Sequence, residues 1–486
     1  MHINWSEERN LTMLTDYYEF TMSNGYFLNG MKDKVAGFDM FFRNIPDNGG
    51  FAIFAGLEQL VHYLENLRFT PQDIEYFRSK KVFDEQFLDY LANFRFSCDV
   101  WAMEEGTPIF PNEPIVTVKG PVIQAQLVET MILLTINHQS LVATKANRMV
   151  RAAGDKLIME FGSRRAQGYD AAILGARATY IGGCGATACA IADRDYGISA
   201  LGTMAHSWVQ MFDSEYEAFK SYAQIYPDDC TLLVDTYNVL KSGIPNAIKV
   251  FNKVILPLGH RPKGVRIDSG DIAYLSKKAR KMLDEAGFAD VKIVASNSLD
   301  EYIIRDLQLQ GAKLDSFGIG ERLITSKSDP VFGGVYKLVA VEKDGEFIPK
   351  IKVSESPEKI TNPHFKKVYR LFDSNGKAVA DYVCVHDEQL DTQNPITLTI
   401  FDPLATWKKC TLENVTAKEM LQPIFRQGKL VYQLPDIQQI RSHCKQQVDT
   451  LWDEVKRFEN PHNYYVDLSQ KLWDIKQSLL NSHDMN

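Results

Sequence analysis

Between residues 157 and 320 the chain carries seven short apolar runs, each the length of a buried strand, alternating with helical segments. The runs are LIMEF (157–161), ATYIGG (178–183), SALGT (199–203), TLLVDT (231–236), GVRIDSGD (264–271), VKIVASN (291–297) and SFGIG (316–320). Helical patterns fill 237–251, 271–286 and 299–310 between them. Strand-to-strand spacings of roughly 20 to 35 residues leave room for a crossover helix, which parallel neighbours require. Such units in series predict a parallel sheet closed or nearly closed as a barrel. With seven strands in place of eight, the expected fold is α/β, an incomplete or irregular barrel of parallel strands.

The flanks read differently. Strand patterns at 37–43, 98–104 and 115–118 mix with an amphipathic helix at 57–67 and a second helix opened by Thr70-Pro71-Gln72-Asp73. A helical stretch at 122–153 ends in Lys145, Arg148 and Arg151. After Val331, strand patterns at 336–341, 348–353, 368–372 and 378–385 are expected to return to the amino-terminal sheet. From Asp436 onward the pattern is two amphipathic helices with a break at Pro461. The expected organisation is an α+β sheet domain with a long connecting helix (1–150), the barrel-like domain (151–335), and carboxyl-terminal strands and helices (336–486).

A formal charge of -8 argues against a protein that coats nucleic acid, where clustered Lys and Arg must meet many phosphates. It leaves room for one anionic small molecule, which a few basic side chains and backbone amides can hold. The seven cysteines form no CxxC pair, and Cys184 and Cys189 sit among small residues as packing groups, so reduced thiols are expected. The amino terminus MHINWSEERN lacks an apolar stretch, and the apolar segment near 131–136 is too short to span a bilayer. The expected setting is cytoplasmic, with no membrane or nucleic-acid partner.

In parallel α/β architectures ligands gather at the carboxyl ends of strands. The runs here end in Glu160-Phe161-Gly162-Ser163-Arg164-Arg165, in Gly182-Gly183-Cys184-Gly185-Ala186-Thr187, in Gly202-Thr203-Met204-Ala205-His206, in Asp235-Thr236, in Asp268-Ser269-Gly270-Asp271, in Ser296-Asn297 and in Gly318-Ile319-Gly320. Taken singly, each has a bland explanation. An Asp closing a strand usually caps the next helix, a role that suits Asp271, and Gly-rich turns answer backbone geometry. Their convergence at one end of every unit shifts the balance toward chemistry. Gly318 and Gly320 with the amides near Ser296 and Asn297 form a candidate phosphate cradle. Asp235 and Asp268 are candidate Mg²⁺ ligands. Arg164 and Arg266 suit phosphate or carboxylate oxygens, and His206 suits proton or phosphoryl transfer.

At these residues the sequence resembles the nicotinate phosphoribosyltransferase family. The matching text is LTMLTDYYEFTM (11–22), EFGSRRAQG (160–168), GTMAHSWVQMF (202–212), LLVDTYN (232–238), GVRIDSGD (264–271), ASNSLDE (295–301), FGIGERLIT (317–325) and GGVYKLV (333–339), in consistent order. The resemblance implies transfer of phosphoribose from phosphoribosyl pyrophosphate to nicotinate in NAD salvage, with ATP hydrolysis coupled through a phosphohistidine at His206. It implies catalytic roles for His206, Asp235 and Asp268, with Mg²⁺ as cofactor and ATP as co-substrate. It implies nicotinate contacts from Tyr18, Phe161, Arg164, Thr203 and Arg266, and phosphoribosyl contacts from Thr187, Ser296, Asn297, Gly318 and Gly320. Tyr18, or its neighbour Tyr17, would reach the site of a second subunit, so a homodimer with shared sites is implied.

Two positions depart from the family pattern. Glu321 and Arg322 follow Gly320 where many relatives carry a small hydroxyl residue, and a carboxylate there must turn away or meet Arg322. Thr187 stands where nicotinamide-using relatives carry an acid, which favours nicotinate. The competing readings are a nicotinamide phosphoribosyltransferase, a Mg²⁺-dependent sugar-phosphate lyase on the same barrel, and a binding protein without catalysis.

Overall fold

The computed structural model describes residues 10–483, and the chain divides into two compact units, Lys145–Pro330 and the combination of Met1–Thr144 with Val331–Asn486.

The first unit is built on six strands: β1 (Leu157–Glu160), β2 (Ala186–Thr187), β3 (Thr231–Leu233), β4 (Gly264–Ile267), β5 (Lys292–Asn297) and β6 (Ser316–Ile319). They are hydrogen-bonded in the order β2-β1-β6-β5-β4-β3, and every pairing is parallel. The first strand thus pairs with the last, while among the described residues no ladder joins β2 to β3. Five of the seven expected runs hold strands. The segment 178–183 does not: it closes the helix Tyr169–Ile181, because its apolar positions continue a helical spacing set by Ile173, Ala176, Ala178 and Ile181. Residues 199–203 run without a ladder, touching the sheet only through a bridge from Ala200 to Thr187. The short β2 lies in the small-residue segment between those two runs.

Val265, Ile267, Ile293, Ala295, Phe317 and Ile319 are fully buried. They pack with helix residues including Ile244, Val250, Ala279 and Ile304 in one apolar core. Burial of each larger side chain contributes about 1.5–3 kcal/mol. Asp271 caps the helix Ile272–Glu285 through the amide of Tyr274, as its position predicts, and Asp300 caps Glu301–Leu309 through that of Ile303. Glu301 is itself fully buried between Lys145 (2.9 Å) and Arg148 (2.7 Å), an ion cluster inside this unit.

In the second unit a seven-stranded sheet runs in the order Glu346–Pro349, Val335–Lys343, Val35–Phe41, Val116–Pro121, Asp99–Ala102, Gln422–Arg426, Lys429–Leu430. The chain after residue 331 therefore does return to the amino-terminal sheet. The strands Lys366–Phe372 and Ala378–Val385 do not join it. They lie in a separate five-stranded sheet with Ile396–Phe401, Lys409–Glu419 and Tyr465–Leu468. Alternation in a sequence marks a strand but not its partner, and here the partners are strands hidden in polar text. Tyr465–Leu468 falls between the two expected terminal helices, Ile437–Thr450 and Gln470–His483. Two ion pairs are sealed in this unit: Asp39 with Lys366 at 2.7 Å, and Arg370 with Asp381 at 2.7 Å. Six of the seven cysteines are buried and all are free thiols. Among the described residues no helix is long and apolar enough to cross a membrane.

Candidate active site

Strand register brings the polar strand ends of the first unit to one level. Asp235 and Asp268 lie just beyond β3 and β4, and the Asp268 amide donates to Asp235 Oδ2 at 2.9 Å. The Ser269 hydroxyl donates to the same oxygen at 2.6 Å. Asp268 Oδ1 accepts from the hydroxyl of Ser296 on β5 and lies 3.7 Å from Arg266 Nη2. Its Oδ2 stands 3.8 Å from Nε2 of His206, whose Nδ1 is 3.1 Å from Thr236 Oγ1. Arg266 Nη1 donates to Thr203 Oγ1 at 2.9 Å. One connected set therefore holds His206, Asp268, Asp235, Arg266, Thr203 and Ser296.

The set is incomplete as a hydrogen-bond network. Asp235 Oδ1 and Arg266 Nε are buried without a partner among the described residues. Leaving such atoms unmet costs about 1–3 kcal/mol each, so they mark where a ligand would complete the shell. Burial holds the Arg266 guanidinium below the usual arginine range; Asp268 and Asp235 oppose that, and Arg164 adds repulsion. Two guanidiniums thus act on one another here, an arrangement an anion relieves. His206 is 40% exposed and Asp268 34%, so both are open to a substrate.

The glycines beside this cluster are fixed by contact. A Cβ on Gly318 would stand 2.5 Å from the Phe161 ring, and one on Gly162 would meet Ile324 at 2.6 Å. Phe161 therefore lies flat against β6, partly exposed, with Gly318 as its floor. Gly320 precedes the short helix Glu321–Ile324. Asn297 is exposed and holds φ of 122°, a strained setting for a residue with a side chain. Its own Oδ1 accepts from the Ser298 amide at 2.6 Å.

Thr187 departs from the contact role the resemblance implies. It is fully buried, donates to Glu160 Oε2 at 2.7 Å, and accepts from the Cys189 amide at 3.0 Å. Its hydroxyl is committed inside the protein. Glu160, whose carboxyl burial pushes upward, also accepts from the Gly162 amide, and so ties β2 to the turn that carries Phe161 and Arg164. Glu321 neither meets Arg322 nor faces the cluster unpaired: it binds Lys327 at 2.5 Å, while Arg322 pairs with Asp300. Lys327 and, more weakly, Arg165 and Arg322 hold the Glu321 carboxyl below the usual range.

Tyr18 belongs to the other unit. It is 46% exposed on the helix Tyr17–Leu28, with its phenol raised by burial and by Glu129, Glu19 and Asp16. Tyr17 instead turns its ring edge to Phe83 at 5.9 Å. Of this adjacent pair, Tyr18 is the one without an aromatic partner among the described residues.

Sequence reasoning assigned no role to Glu160, Thr236 or Ser269, which orient Thr187, His206 and Asp235. The signal was present: each is a polar residue in the last positions of an apolar run, or directly after one. Among the described residues no three His, Cys, Asp or Glu side chains gather as a metal cage. Asp235 and Asp268 alone suit a cation that completes its shell with substrate oxygens and water.

A parallel α/β sheet whose strand ends gather two carboxylates, an imidazole and paired guanidiniums defines an enzyme for a phosphorylated, anionic substrate. Three family models match the chain: the nicotinate phosphoribosyltransferase N-terminal domain over 13–137, the nicotinate phosphoribosyltransferase family over 157–376, and the C-terminal domain over 365–476. The Bacillus subtilis nicotinate phosphoribosyltransferase is 44% identical over 97% of this chain and 95% of its own length. That of Homo sapiens is 32% identical over 97% and 96%. The crystal structure of human nicotinic acid phosphoribosyltransferase superposes with a TM-score of 0.85 at 30% identity, covering 96% of this chain and 99% of that one. The chain belongs to the nicotinate phosphoribosyltransferase family.

Proposed function

We infer that this enzyme transfers phosphoribose from phosphoribosyl pyrophosphate to the ring nitrogen of nicotinate, a step of NAD salvage. The observation that carries the reading is the single cluster of His206, Asp268, Asp235, Arg266, Thr203 and Ser296, joined by hydrogen bonds and by ion pairs of 3.7 to 3.8 Å, in a chain of this family. Arg266 and Arg164 would pair with the nicotinate carboxylate, and the Phe161 face would carry the pyridine ring. The unprotonated ring nitrogen bonds to C1 of the ribose as the bond from C1 to the pyrophosphate oxygen breaks. No proton need move in that step. Positive charge builds on the sugar in the transition state, and the Asp268 and Asp235 carboxylates stabilise it. Ser296 and Arg266 hold Asp268 in place for this. When bound at Asp235 and Asp268, Mg²⁺ would neutralise the leaving pyrophosphate; the unpartnered Asp235 Oδ1 fits that donor role.

ATP coupling is assigned to His206. In the tautomer whose Nδ1–H donates to Thr236 Oγ1, Nε2 carries a lone pair, and the side chain is exposed enough to reach a phosphorus atom. Attack on the γ-phosphoryl group forms the N–P bond, breaks the bond to the bridging oxygen and releases ADP; water later frees phosphate. A homodimer would complete the nicotinate pocket with Tyr18 of a second copy. The exposed, unstacked ring supports that reading.

The test is a product assay with nicotinate or nicotinamide, phosphoribosyl pyrophosphate and Mg²⁺, with and without ATP, on wild type and His206→Asn. The expected result is preference for nicotinate, ATP stimulation in the wild type, and loss of both stimulation and acid-labile phosphate in the variant. Preference for the amide would reject the substrate, and phosphate retained on the variant would reject the role of His206.

A further inference from the structure

The unit that contains both chain ends holds a cavity of about 1130 Å³. None of the residues assigned to transfer lines it. Its wall combines two kinds of group. At the exposed rim stand Lys408, Lys409 and Arg457, whose side chains make no hydrogen bond or ion pair among the described residues. Deeper lies Asp467, only 5% exposed, on the strand Tyr465–Leu468. Among the described residues its carboxyl has no hydrogen-bonding partner or opposite charge. Asp402 shares the wall; burial first, and then the Asp402 charge, push the Asp467 carboxyl up to about 7. Lys476, which also lines the cavity, donates to Asn362 Oδ1 at 2.8 Å and is drawn down to about 8 by burial and Lys366.

A buried carboxyl without a partner is costly to the fold, and Lys408, Lys409 and Arg457 leave three cations on the wall of one cavity without an ion pair among the described residues, in a chain of net charge -8. The two features ask for complementary ends of one ligand. Uncommitted Lys and Arg side chains at a rim fit a phosphate dianion. Buried carboxyls reject a second anion and accept from hydroxyl groups. We propose that this cavity is a second ligand site, which binds a sugar phosphate, free or as part of a nucleotide, with phosphate at Lys408, Lys409 and Arg457 and sugar hydroxyls at Asp467 and Asp402. The volume accommodates either form. The proposal does not depend on the transferase reading.

Titration calorimetry of the full chain tests it, with ribose 5-phosphate, AMP and inorganic phosphate as probes. The proteins are wild type, Asp467→Asn, and the surface triple variant Lys408→Glu, Lys409→Glu, Arg457→Glu. Wild type should bind ribose 5-phosphate at two classes of site, and the triple variant at one, with transferase turnover unchanged. Asp467→Asn should weaken the sugar phosphate at the second class about tenfold, near 1.4 kcal/mol, and leave inorganic phosphate unaffected. Tighter binding of AMP identifies the nucleotide as the source, and tighter binding of ribose 5-phosphate the free sugar phosphate. Equal stoichiometry in wild type and triple variant overturns the site. Inorganic phosphate binding as tightly as both sugar phosphates overturns the role of Asp467.

Discussion

Two charged clusters, one in each unit, are built in opposite ways. Around Arg370 every group is sealed: the guanidinium and Asp381 are 0% exposed, joined by two hydrogen bonds of 2.8 and 2.7 Å, with a third bond to the Pro108 carbonyl and Tyr464 donating to the same acid. Phe110 and Tyr464 flank the guanidinium. Around Asp268 the groups are looser: Asp268 and His206 are a third or more exposed, and Asp268 lies 3.7 to 3.8 Å from Arg266 and His206. A closed pair specifies a fold, because its partners have nowhere else to go. An open cluster leaves part of its bonding capacity for something that arrives.

That contrast breaks first at Arg370. Arg370→Met strands Asp381 in the core and should cost about 3–5 kcal/mol in a denaturant titration, with the activity of the remaining folded protein retained. A loss below 1 kcal/mol would show that the sealed pair is not structural. Asp268→Asn should do the reverse, lowering turnover about 10²–10³-fold in the product assay while leaving the unfolding midpoint in place. Equal damage to stability would make Asp268 another structural acid.

Gly318→Ala sharpens the comparison within the active site. Its methyl group must displace the Phe161 ring, so KM for nicotinate should rise about tenfold with a smaller change in turnover. An unchanged KM would separate Phe161 from the base. The smallest effect concerns Glu19, fully buried against Thr130 and pushed up to about 8 mainly by burial. A carboxyl raised in the folded state stabilises fully below its unfolded pKa and loses that contribution as pH rises through about 8. Urea midpoints of wild type should therefore fall between pH 5 and 8 relative to those of Glu19→Gln, which stays neutral throughout. Parallel profiles would remove Glu19 from the pH dependence.

Much of the first unit was legible because its strands are buried on both faces and so appear as continuous apolar runs. The runs at 157, 231, 264, 291 and 316 each hold a strand, and the polar residues that close those at 231, 264 and 291 meet in space. Legibility failed where two structures share one composition. Residues 178–183 are as apolar as a strand, and only the preceding turns, with Ile173 and Ala176, make them helical. It failed again at 396–401 and 409–419, strands with one exposed face and no apolar run to announce them. Glu321 looked like an intruder at a phosphate loop, and no local pattern pointed to Lys327 as its counter-ion.

The sequence alone determined that this chain has parallel βα units, that acids, arginines, a histidine and glycines fall at their carboxyl ends, and which family that order of motifs belongs to. The first two are properties of local periodicity and spacing, which the chain carries wherever it folds; the family rests on the resemblance of the motifs themselves. Only the tertiary structure decided which strand-end groups touch: that Asp268 lies between His206, Arg266 and Ser296, that Asp235 keeps one oxygen unmet, and that Thr187 spends its hydroxyl on Glu160. Contacts between residues tens of positions apart depend on ladder register and close packing, and no local pattern encodes either.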